Sequence, residues 1–370
     1  MNFNPFFQDS KTSARSGFLK TAHGRVQTPF FMPVETKAAA KFVSQEELDK
    51  MGVECFISNA LLLHFKPGLE IVKKAGGLHK FLNWEKSIFT DSGGFQVIDE
   101  HFLLRINDAG AEFRDPFSGK RECITPEKAI AIQNSLGADV IMCLDDQPHF
   151  GRSKDSIAQA VKRTLLWAEK CKKAHSNKRQ QLFGICQGGL HSDLRKKSIE
   201  GLLKIDFDGI AIGGFGIGEE NAQMMKVVEK CVSLIPEEKP VYLMGIGSPK
   251  ELVEGISAGV DVFDSCFPTR VGRHGMVFTR KGALRLEKAQ FAKDFKQLDA
   301  DCDCFVCRNY SRAYIHHLFK LKEPSGMRYL SHHNLHFLQR LVQEARQNIK
   351  ENSFLKFRNQ FLKNYSKKLL

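Results

Sequence analysis

A closed (β/α)8 barrel, the TIM-barrel form of the α/β class, is the fold that this sequence predicts, with a small metal-binding subdomain toward the C-terminus. Three observations support it. Short apolar runs alternate with amphipathic stretches, each run ends abruptly in glycine or acidic residues, and 370 residues suffice for one barrel with an appended element. An open, doubly wound sheet is the alternative that shares this local pattern.

The apolar runs that predict barrel strands lie in the middle of the chain. They are SIFT before Asp91, DVIMCL before Asp145, QLFGIC before Gln187, GIAI before Gly213, VYLM before Gly245 and VDVF before Asp264. Helical stretches lie between them, such as residues 125–136, where Thr125 is the predicted N-cap and Pro126 opens the first turn. Strand–helix alternation of this kind indicates a parallel sheet that is buried on both faces.

The polar residues at the strand ends are the candidate site. In a barrel, the C-terminal ends of all strands converge on one face, so residues distant in sequence surround one pocket. Those residues are Asp91, Asp145, Gln187, Gly214 and Asp264. A lone Asp after a strand is more often a helix N-cap, but three acids, an amide and several glycines at successive strand ends favour a binding or catalytic site.

The chain is basic. It carries 55 Lys and Arg against 42 Asp and Glu, a formal charge of +13, which favours a polyanionic partner such as nucleic acid, although a solvated basic surface accounts for the charge equally well. No apolar stretch is long enough for a membrane span, and the first residues lack the pattern of a secretory signal. We therefore expect a cytoplasmic protein without membrane contact.

The ten cysteines divide into two groups. Seven are spread singly through apolar stretches and are expected to be reduced core thiols: Cys55, Cys123, Cys143, Cys171, Cys186, Cys231 and Cys266. Cys302, Cys304 and Cys307 form a C-x-C-x-x-C cluster, which in a cytosolic protein predicts a metal site. A fourth ligand is available at His332 or His333, whereas His316 and His317 are expected on a helix surface.

Eight segments resemble the queuine tRNA-ribosyltransferase family. They are FFMPVETKAAAKFVS, FTDSGGFQV, ITPEKAIAIQNSLGADVIM, FGICQGGL, AIGGFGIGE, YLMGIGSP, VDVFDSCFPTRVGRHG and CDCFVCRNYSRAYIHHL, which stand in the family's order from about Pro29 to His336. The resemblance implies a tRNA-guanine transglycosylase, a glycosyltransferase of queuosine biosynthesis. Such an enzyme exchanges the wobble guanine at tRNA position 34 of GUN anticodons for 7-aminomethyl-7-deazaguanine through a covalent Asp–ribose intermediate.

The resemblance also implies the roles of individual residues. Asp264 would be the nucleophile, and Asp91 would be the general acid and base. The implied base-binding positions are Asp91, Ser92, Gly93, Gly94, Phe95, Asp145, Gln187, Gly214 and Met244. The implied tRNA-binding positions are Gly245, Ile246, Gly247, Ser248, Pro249, Lys250, Glu251, Thr269, Arg270, Val271, Gly272 and Arg273. One structural zinc ion per subunit would be held by Cys302, Cys304, Cys307 and His333, because the family's zinc histidine directly precedes Asn-Leu.

The resemblance further implies an organisation and partners. The barrel is expected over residues 1–293, a zinc-binding subdomain over 294–336, and a C-terminal helix that packs back on the barrel over 337–370. The expected partners are the tRNA isoacceptors for Asp, Asn, His and Tyr, a 7-deazaguanine base, and a second copy of the chain in a homodimer.

Several positions depart from the family's pattern. Glu35 stands where glycine is usual, and Ala60-Leu61-Leu62 and residues 115–119 also differ, which puts details of the pocket lining in doubt. Ile217 would close the pocket around a small base, and Glu219 would accept from its ammonium group directly or through the neighbouring peptide. Gln147 matches neither the bacterial nor the eukaryotic residue, and it leaves queuine open as the inserted base.

Three other functions share parts of this pattern. A non-catalytic tRNA-binding subunit is disfavoured because both Asp91 and Asp264 are retained. An archaeal-type enzyme would carry a further RNA-binding domain, for which the stretch after His333 is expected to be too short. A barrel enzyme that acts on small sugars would have the two carboxylates but would not bind tRNA.

Overall fold

The computed structural model describes residues 2–94, 102–216 and 218–365. Its strands are β1 (Phe3–Gln8), β2 (Arg15–Thr21), β3 (Gly24–Thr28), β4 (Phe30–Pro33), β5 (Cys55–Asn59), β6 (Ser87–Asp91), β7 (Leu103–Asn107), β8 (Gly110–Arg114), β9 (Arg121–Ile124), β10 (Val140–Met142), β11 (Gln181–Cys186), β12 (Gly209–Ile212), β13 (Val241–Leu243), β14 (Val262–Ser265), β15 (Met276–Thr279) and β16 (Gly282–Arg285).

The α-helices in the same ranges are α1 (Gln45–Lys50), α2 (Ala60–Leu63), α3 (Leu69–Lys74), α4 (Leu78–Leu82), α5 (Pro126–Leu136), α6 (Lys154–Ala174), α7 (Ser192–Ile205), α8 (Asn221–Val232), α9 (Pro249–Ser257), α10 (Phe267–Arg273), α11 (Phe305–Asn309), α12 (Arg312–Lys320), α13 (Pro324–Lys350) and α14 (Phe354–Tyr365). A π-turn (His64–Gly68) joins α2 to α3, and a short 3-10 turn (Ala289–Phe291) follows β16. None of these helices is long and apolar enough to cross a membrane.

An eight-stranded parallel barrel forms the body of the molecule. The strand order is β4-β14-β13-β12-β11-β10-β6-β5, and the seam between β4 and β5 is closed by a parallel bridge from Val34 to Ile57. The amide of Glu35 adds a 2.8 Å hydrogen bond to the carbonyl of Ile57 at the same seam. The predicted barrel is therefore confirmed, and the alternative of an open sheet is wrong.

All six predicted strands are present in the barrel. The other two barrel strands, β4 and β5, were not predicted from the sequence. Both lack the abrupt glycine or acidic ending of the others: β4 is a four-residue strand that ends in Pro33, and β5 runs directly into α2. Every residue of both strands is buried, so both strands contribute to the core of the barrel.

Aromatic side chains fill the interior of the barrel. The ring of Phe89 on β6 lies 5.8 Å from Phe183 on β11, 6.1 Å from Tyr242 on β13 and 6.3 Å from Phe30 on β4. These strands are not neighbours of β6 in the sheet, so the rings meet inside the barrel. The interior is a packed core, and the site must lie at the ends of the strands.

The helix predicted at residues 125–136 forms as α5. The hydroxyl of Thr125 accepts a hydrogen bond from the amide of Lys128, and Pro126 occupies the first turn. Gly137 ends the helix with a φ of 76°, a left-handed conformation that costs glycine little. The predicted N-cap is confirmed.

Smaller elements surround the barrel. Strands β1–β3 form an antiparallel sheet before the barrel, and β7–β9 form another between β6 and α5. A second hydrophobic core is built from the β15–β16 hairpin, α11, α12 and part of α13, and it includes Val277, Leu286, Cys304, Cys307 and Leu330. This core begins before residue 294, the predicted start of the subdomain.

The C-terminal helices join the two cores. Helix α13 is continuous across the predicted boundary between residues 336 and 337, so no break in secondary structure marks that boundary. Phe354 and Phe361 on α14 belong to the core of the barrel, and the amide of Phe354 donates to Asp9.

Two expectations about burial were wrong. Cys123 and Cys266 are exposed, whereas the other five scattered cysteines are buried. His316 is buried, and its Nδ1 lies 2.6 Å from the carbonyl oxygen of Leu286. The neighbouring His317 is exposed, as expected.

Candidate active site

The residues at the strand ends form one connected cluster. Asp91 ends β6 and Asp264 lies in β14, and the two carboxyl groups are close enough for the charge of Asp264 to raise the pKa of Asp91. Asp145, which follows β10, interacts in turn with Asp91 and with Gln187 after β11. The predicted convergence on one face of the barrel is observed.

One oxygen of Asp264 is held by two donors. The hydroxyl of Tyr242 donates to Oδ1 at 2.6 Å, and the amide of Gly245 donates to the same oxygen at 2.8 Å. Among the described residues, Oδ2 has no hydrogen-bond donor. Burial raises the pKa of Asp264 and these two bonds oppose the rise. The carboxylate is thus anchored through one oxygen, Oδ1.

Asp91 is held from its own turn and from β5. The side-chain amide of Asn59 donates to Oδ2 at 3.4 Å, and the backbone amides of Ser92 and Gly93 also donate to the carboxylate. Burial and the charge of Asp264 nevertheless raise the pKa of Asp91 to about 6. A carboxyl group with this pKa can exchange a proton near neutral pH, as a general acid and base must.

Asp145 and Gln187 form the next part of the pocket. Gln187 Nε2 donates to Asp145 Oδ2 at 2.7 Å, and both side chains are buried. Burial raises the pKa of Asp145 to about 7 in spite of the bond from Gln187, and the nearby charges of Asp91 and Asp146 act in the same direction. The pair offers a carboxylate acceptor beside an amide.

Glycines keep the space around this pair open. A Cβ on Gly94 would lie 3.0 Å from Asp145 Oδ1, and a Cβ on Gly214 would lie 2.5 Å from Gln187 Oε1. Gly214 also has a φ of +77°, which strains any L side chain. Larger residues at these positions would displace the pair.

The turn after β12 carries the predicted partner of the 7-substituent. The carboxylate of Glu219 accepts a hydrogen bond from the backbone amide of Gly216. Glu219 therefore interacts with the neighbouring peptide through Oε1. Met244, at the end of β13, is half-buried. The predicted roles of Phe95 and Ile217 fall on residues that lie outside the described part of the chain.

The predicted tRNA-binding segments are partly buried. In the first, Gly245 and Lys250 are exposed, and Ser248 caps α9 and donates to Glu251 Oε2 at 2.6 Å. In the second, Arg270 is exposed, while Val271 and Arg273 are half-buried. The buried members of both segments are Ile246, Gly247, Pro249, Thr269 and Gly272.

Helix α13 supports the second segment from below. Asn334 Nδ2 donates to the carbonyls of Pro268 and Met276 at 3.0 Å each, and Ser331 Oγ lies 3.4 Å from the carbonyl of Thr269. A Cβ on Gly272 would come within 2.9 Å of the amide of Ser331. The segment and the helix are therefore packed backbone to backbone.

Three cysteines and one histidine form a separate cluster beneath this helix. The Sγ atoms of Cys302, Cys304 and Cys307 lie 3.7, 3.4 and 3.3 Å from His333 Nδ1, and the four candidate ligand atoms all lie within 4.8 Å of one another. The other ring nitrogen of His333 is 2.8 Å from the carbonyl of Phe278. It donates there, which leaves the Nδ1 lone pair directed at the thiols.

The alternative ligand faces elsewhere. His332 Nδ1 lies 3.4 Å from a carboxylate oxygen of Glu47 on α1, so the structure brings His333 rather than His332 to the thiols. Hydrogen bonds from Cys302 and Cys307 lower the pKa of Cys304 to about 4. Four such ligands fit a tetrahedral metal ion with no open position.

Two buried groups near the site were not assigned a role from the sequence. Tyr242 lies inside the apolar strand β13, where the sequence pattern indicates a core residue. Glu35, noted as a departure, is fully buried, and burial raises its pKa to about 8, although Gln45 Nε2 donates to it at 2.8 Å. Its other oxygen is buried without a partner in the described structure. The sequence signal for both was a polar residue within a buried run.

The departure at residues 60–62 builds helix α2. All three residues are buried, and Asn59 Oδ1 caps the helix by accepting from the amide of Leu62 at 2.9 Å. Because the other end of the same amide donates to Asp91, this helix helps to fix the position of that carboxylate.

Comparison with known proteins agrees over nearly the whole chain. A family model described as queuine tRNA-ribosyltransferase matches residues 9–367. A protein named queuine tRNA-ribosyltransferase from Halothermothrix orenii is 48% identical over 368 residues, covering 100% of this chain and 99% of its own. Proteins of the same name from Thermoanaerobacter pseudethanolicus and Geobacillus thermodenitrificans are each 47% identical, over 98% and 96% of this chain and 96% and 94% of theirs.

Proposed function

The chain belongs to the queuine tRNA-ribosyltransferase family, and on that premise we propose how its residues carry out the base exchange of a tRNA-guanine transglycosylase in queuosine synthesis. The observation that carries the proposal is the pairing of two buried carboxylates at strand ends, Asp264 anchored through one oxygen and Asp91 with a pKa of about 6. Such a pair can divide one substitution at a sugar carbon into two.

In the first half-reaction, Asp264 Oδ2 attacks C1′ of the wobble guanosine. The bond from C1′ to N9 breaks, the base leaves with the electron pair, and Asp91 gives the departing guanine a proton. The product is an ester between Asp264 and the ribose. The bonds from Tyr242 and Gly245 to Oδ1 hold the attacking oxygen in place and stabilise the carboxylate before attack.

In the second half-reaction, the incoming 7-deazaguanine gives its N9 proton to Asp91 and attacks C1′. The ester bond breaks and Asp264 is released as a carboxylate. Asp91 thus ends the cycle protonated, as it began, which suits a group whose pKa lies close to neutral pH.

Recognition of the base falls to Asp145, Gln187 and the turn after β12. Guanine presents N1–H and the 2-amino group as donors, and the carboxylate of Asp145 is the matching acceptor. We propose that the Gln187 amide and the backbone near Gly214 donate to O6. This assignment is supported by the burial of both side chains and by their mutual 2.7 Å hydrogen bond.

For the inserted base we propose 7-aminomethyl-7-deazaguanine. Support comes from Glu219, whose carboxylate holds the amide of Gly216 and thereby orients the peptide that would meet the aminomethyl ammonium. Queuine is the second candidate because Gln147, which follows Asp145 and Asp146 in sequence, is only half-buried and has an amide that can bond to a diol. Competition of the two bases in one exchange assay decides between them.

For the metal we propose one structural zinc ion per subunit. Three thiolates and an imidazole are a soft, closed ligand set typical of structural zinc, and the bond from His333 to Phe278 fixes the imidazole. When bound, zinc would supply folding energy to the second hydrophobic core rather than a reactive water.

For partners we propose tRNAs with GUN anticodons, read by the exposed Arg270 and the half-buried Arg273. These are the isoacceptors for Asp, Asn, His and Tyr. We further propose a homodimer, which sedimentation would check, and a cytoplasmic location, where tRNA is available.

The test uses labelled guanine and unmodified tRNA that carries a GUN anticodon. The wild-type protein should exchange guanine into that tRNA but not into one with another wobble base. Asp264→Asn should lose the covalent adduct on denaturing gels and keep tRNA binding, while Asp193→Asn, which changes an exposed carboxylate, should leave both intact. An adduct of wild-type yield in Asp264→Asn would place the nucleophile elsewhere.

A further inference from the structure

A buried arginine lies behind the base pocket. Arg195 on α7 is 1% exposed, and within the described residues it forms no ion pair. Its Nε donates to the carbonyl of Gly189 at 2.9 Å and its Nη1 to that of Cys186 at 2.7 Å, while the guanidinium lies 4.3 Å above the ring of Phe215. A buried charge without a carboxylate is costly, so this placement calls for a role.

One donor of this guanidinium is unused. Arg195 Nη2 and Gln187 Oε1 are both buried, and neither has a hydrogen-bond partner in the part of the chain that the structure describes. Both atoms lie beside Gly214: a Cβ built there would be 3.8 Å from Nη2 and 2.5 Å from Oε1. The two unsatisfied atoms are complementary, one a donor and one an acceptor, and each is expensive to leave unpaired.

Arg195 and Asp145 together favour one orientation of the Gln187 amide, since Asp145 accepts from Nε2. A side-chain amide can rotate and exchange its donor and acceptor ends, but a guanidinium can only donate. Arg195 therefore favours Oε1 on its own side. The Nε2 end is then turned toward Asp145, where it is observed 2.7 Å from Oδ2.

We propose that Arg195 is a positioning residue that sets base specificity. By holding Gln187 Oε1 through one bridging water molecule, it keeps Nε2 facing the pocket as a donor, so that the site selects purines with a carbonyl at C6 over purines with an amino group there. This inference rests on the proposed function, since it names how that site chooses its base.

The experiment compares guanine with 2,6-diaminopurine as inhibitors of labelled-guanine exchange at one pH. In Arg195→Met, which keeps an unbranched apolar stem but removes the donors, Gln187 can turn and accept from a 6-amino group. The ratio of the two inhibition constants should fall at least about tenfold from its wild-type value, the effect of one buried hydrogen bond to a wrong partner. A loss of packing alone would weaken both bases together and leave the ratio unchanged.

Two further variants keep the test decisive. Lys196→Met removes one positive charge from the exposed face of the same helix and should keep the wild-type ratio. Arg195→Lys retains a charge but not the planar guanidinium, so its ratio of inhibition constants should also fall. This variant provides the test if Arg195→Met does not fold. An unchanged ratio in either folded Arg195 variant overturns the inference. Wild-type protein that exchanges no guanine would instead overturn the proposed function.

Discussion

The phenol oxygen of Tyr242 lies 2.6 Å from Asp264 Oδ1, the same oxygen that accepts from the amide of Gly245. Tyr242 is fully buried, and it reaches the carboxylate from the neighbouring strand of the barrel. Its hydroxyl therefore stabilises the ionised form of Asp264, the proposed nucleophile, because a phenol that donates to a carboxylate favours the charged state.

Removal of this hydroxyl should shift the pH dependence of adduct formation. In Tyr242→Phe the pKa of Asp264, already raised by burial, should rise further, so the acid limb should move to higher pH by about one unit. Adduct formation should be slower at neutral pH while tRNA affinity is unchanged. Rapid-quench measurements between pH 5 and 8 check this, with the exposed Tyr314→Phe as control. An acid limb that coincides with wild type would show that the bond does not tune the nucleophile.

Base binding should depend on the ionisation of Asp145. Only the ionised carboxylate accepts from both N1–H and the 2-amino group, and its pKa is raised to about 7. The KM for guanine should therefore rise as the pH falls through 7, by up to about tenfold per unit well below it. In Asp145→Asn the KM should be high and nearly independent of pH. The proposed role would be lost if the variant kept the wild-type pH dependence.

Glu35 should make stability depend on pH. Its folded-state pKa of about 8 lies above the unfolded value, so the protein should lose stability as the pH rises from the unfolded value through 8. Glu35→Gln removes the charge and can keep the bond from Gln45. It should add about 2 to 4 kcal/mol to the free energy of unfolding at pH 8.5 and little at pH 4.5.

Urea unfolding at the two pH values measures the effect of Glu35. Glu70→Gln on the exposed face of α3 is the matched control, since its side chain is 81% exposed. Equal stabilisation by Glu35→Gln at both pH values would mean that packing, rather than ionisation, is responsible.

The metal content should depend on each thiol of the cluster. Cys304→Ala should lose zinc and lower the midpoint of thermal unfolding, because ligand binding there contributes folding energy. Cys123→Ala changes an exposed cysteine outside the cluster and should keep the full metal content. Elemental analysis of the purified proteins decides it, and a zinc content in Cys304→Ala equal to that of wild type would contradict the proposed site.

The barrel fold was predictable from the glycine and acidic residues that follow most of its apolar strands. Strands such as β11 and β12 are buried along their whole length and are followed by Gln187-Gly188-Gly189 and by Gly213-Gly214, a pattern typical of parallel strands in α/β folds. Strands β4 and β5 lack that ending, so their place in the barrel depends on pairing with distant strands. Local sequence does not record such long-range pairing.

The site was only partly predictable for a related reason. Asp91 and Asp264 stand at strand ends, where a polar residue attracts attention. Tyr242 lies in an apolar strand and Arg195 in a helix with exposed neighbours, and their roles depend on the atoms that they contact on adjacent elements. The burial of His316 could have been predicted, because His316 follows the buried Ala313 by three residues and so lies on the same face of α12.

The orientation of helix α13 about its own axis is fixed by contacts at several points along its length. His333 faces the thiols, Asn334 faces the backbone around Pro268, and Gln339 donates to the carbonyl of Phe31 in the barrel at 2.9 Å. One extra residue between His333 and Gln339 would turn one end against the other by about 100°. The spacing between His333 and Gln339 is therefore fixed by the structure on both sides of the helix. An insertion or deletion between these two residues should be as harmful as the replacement of either one.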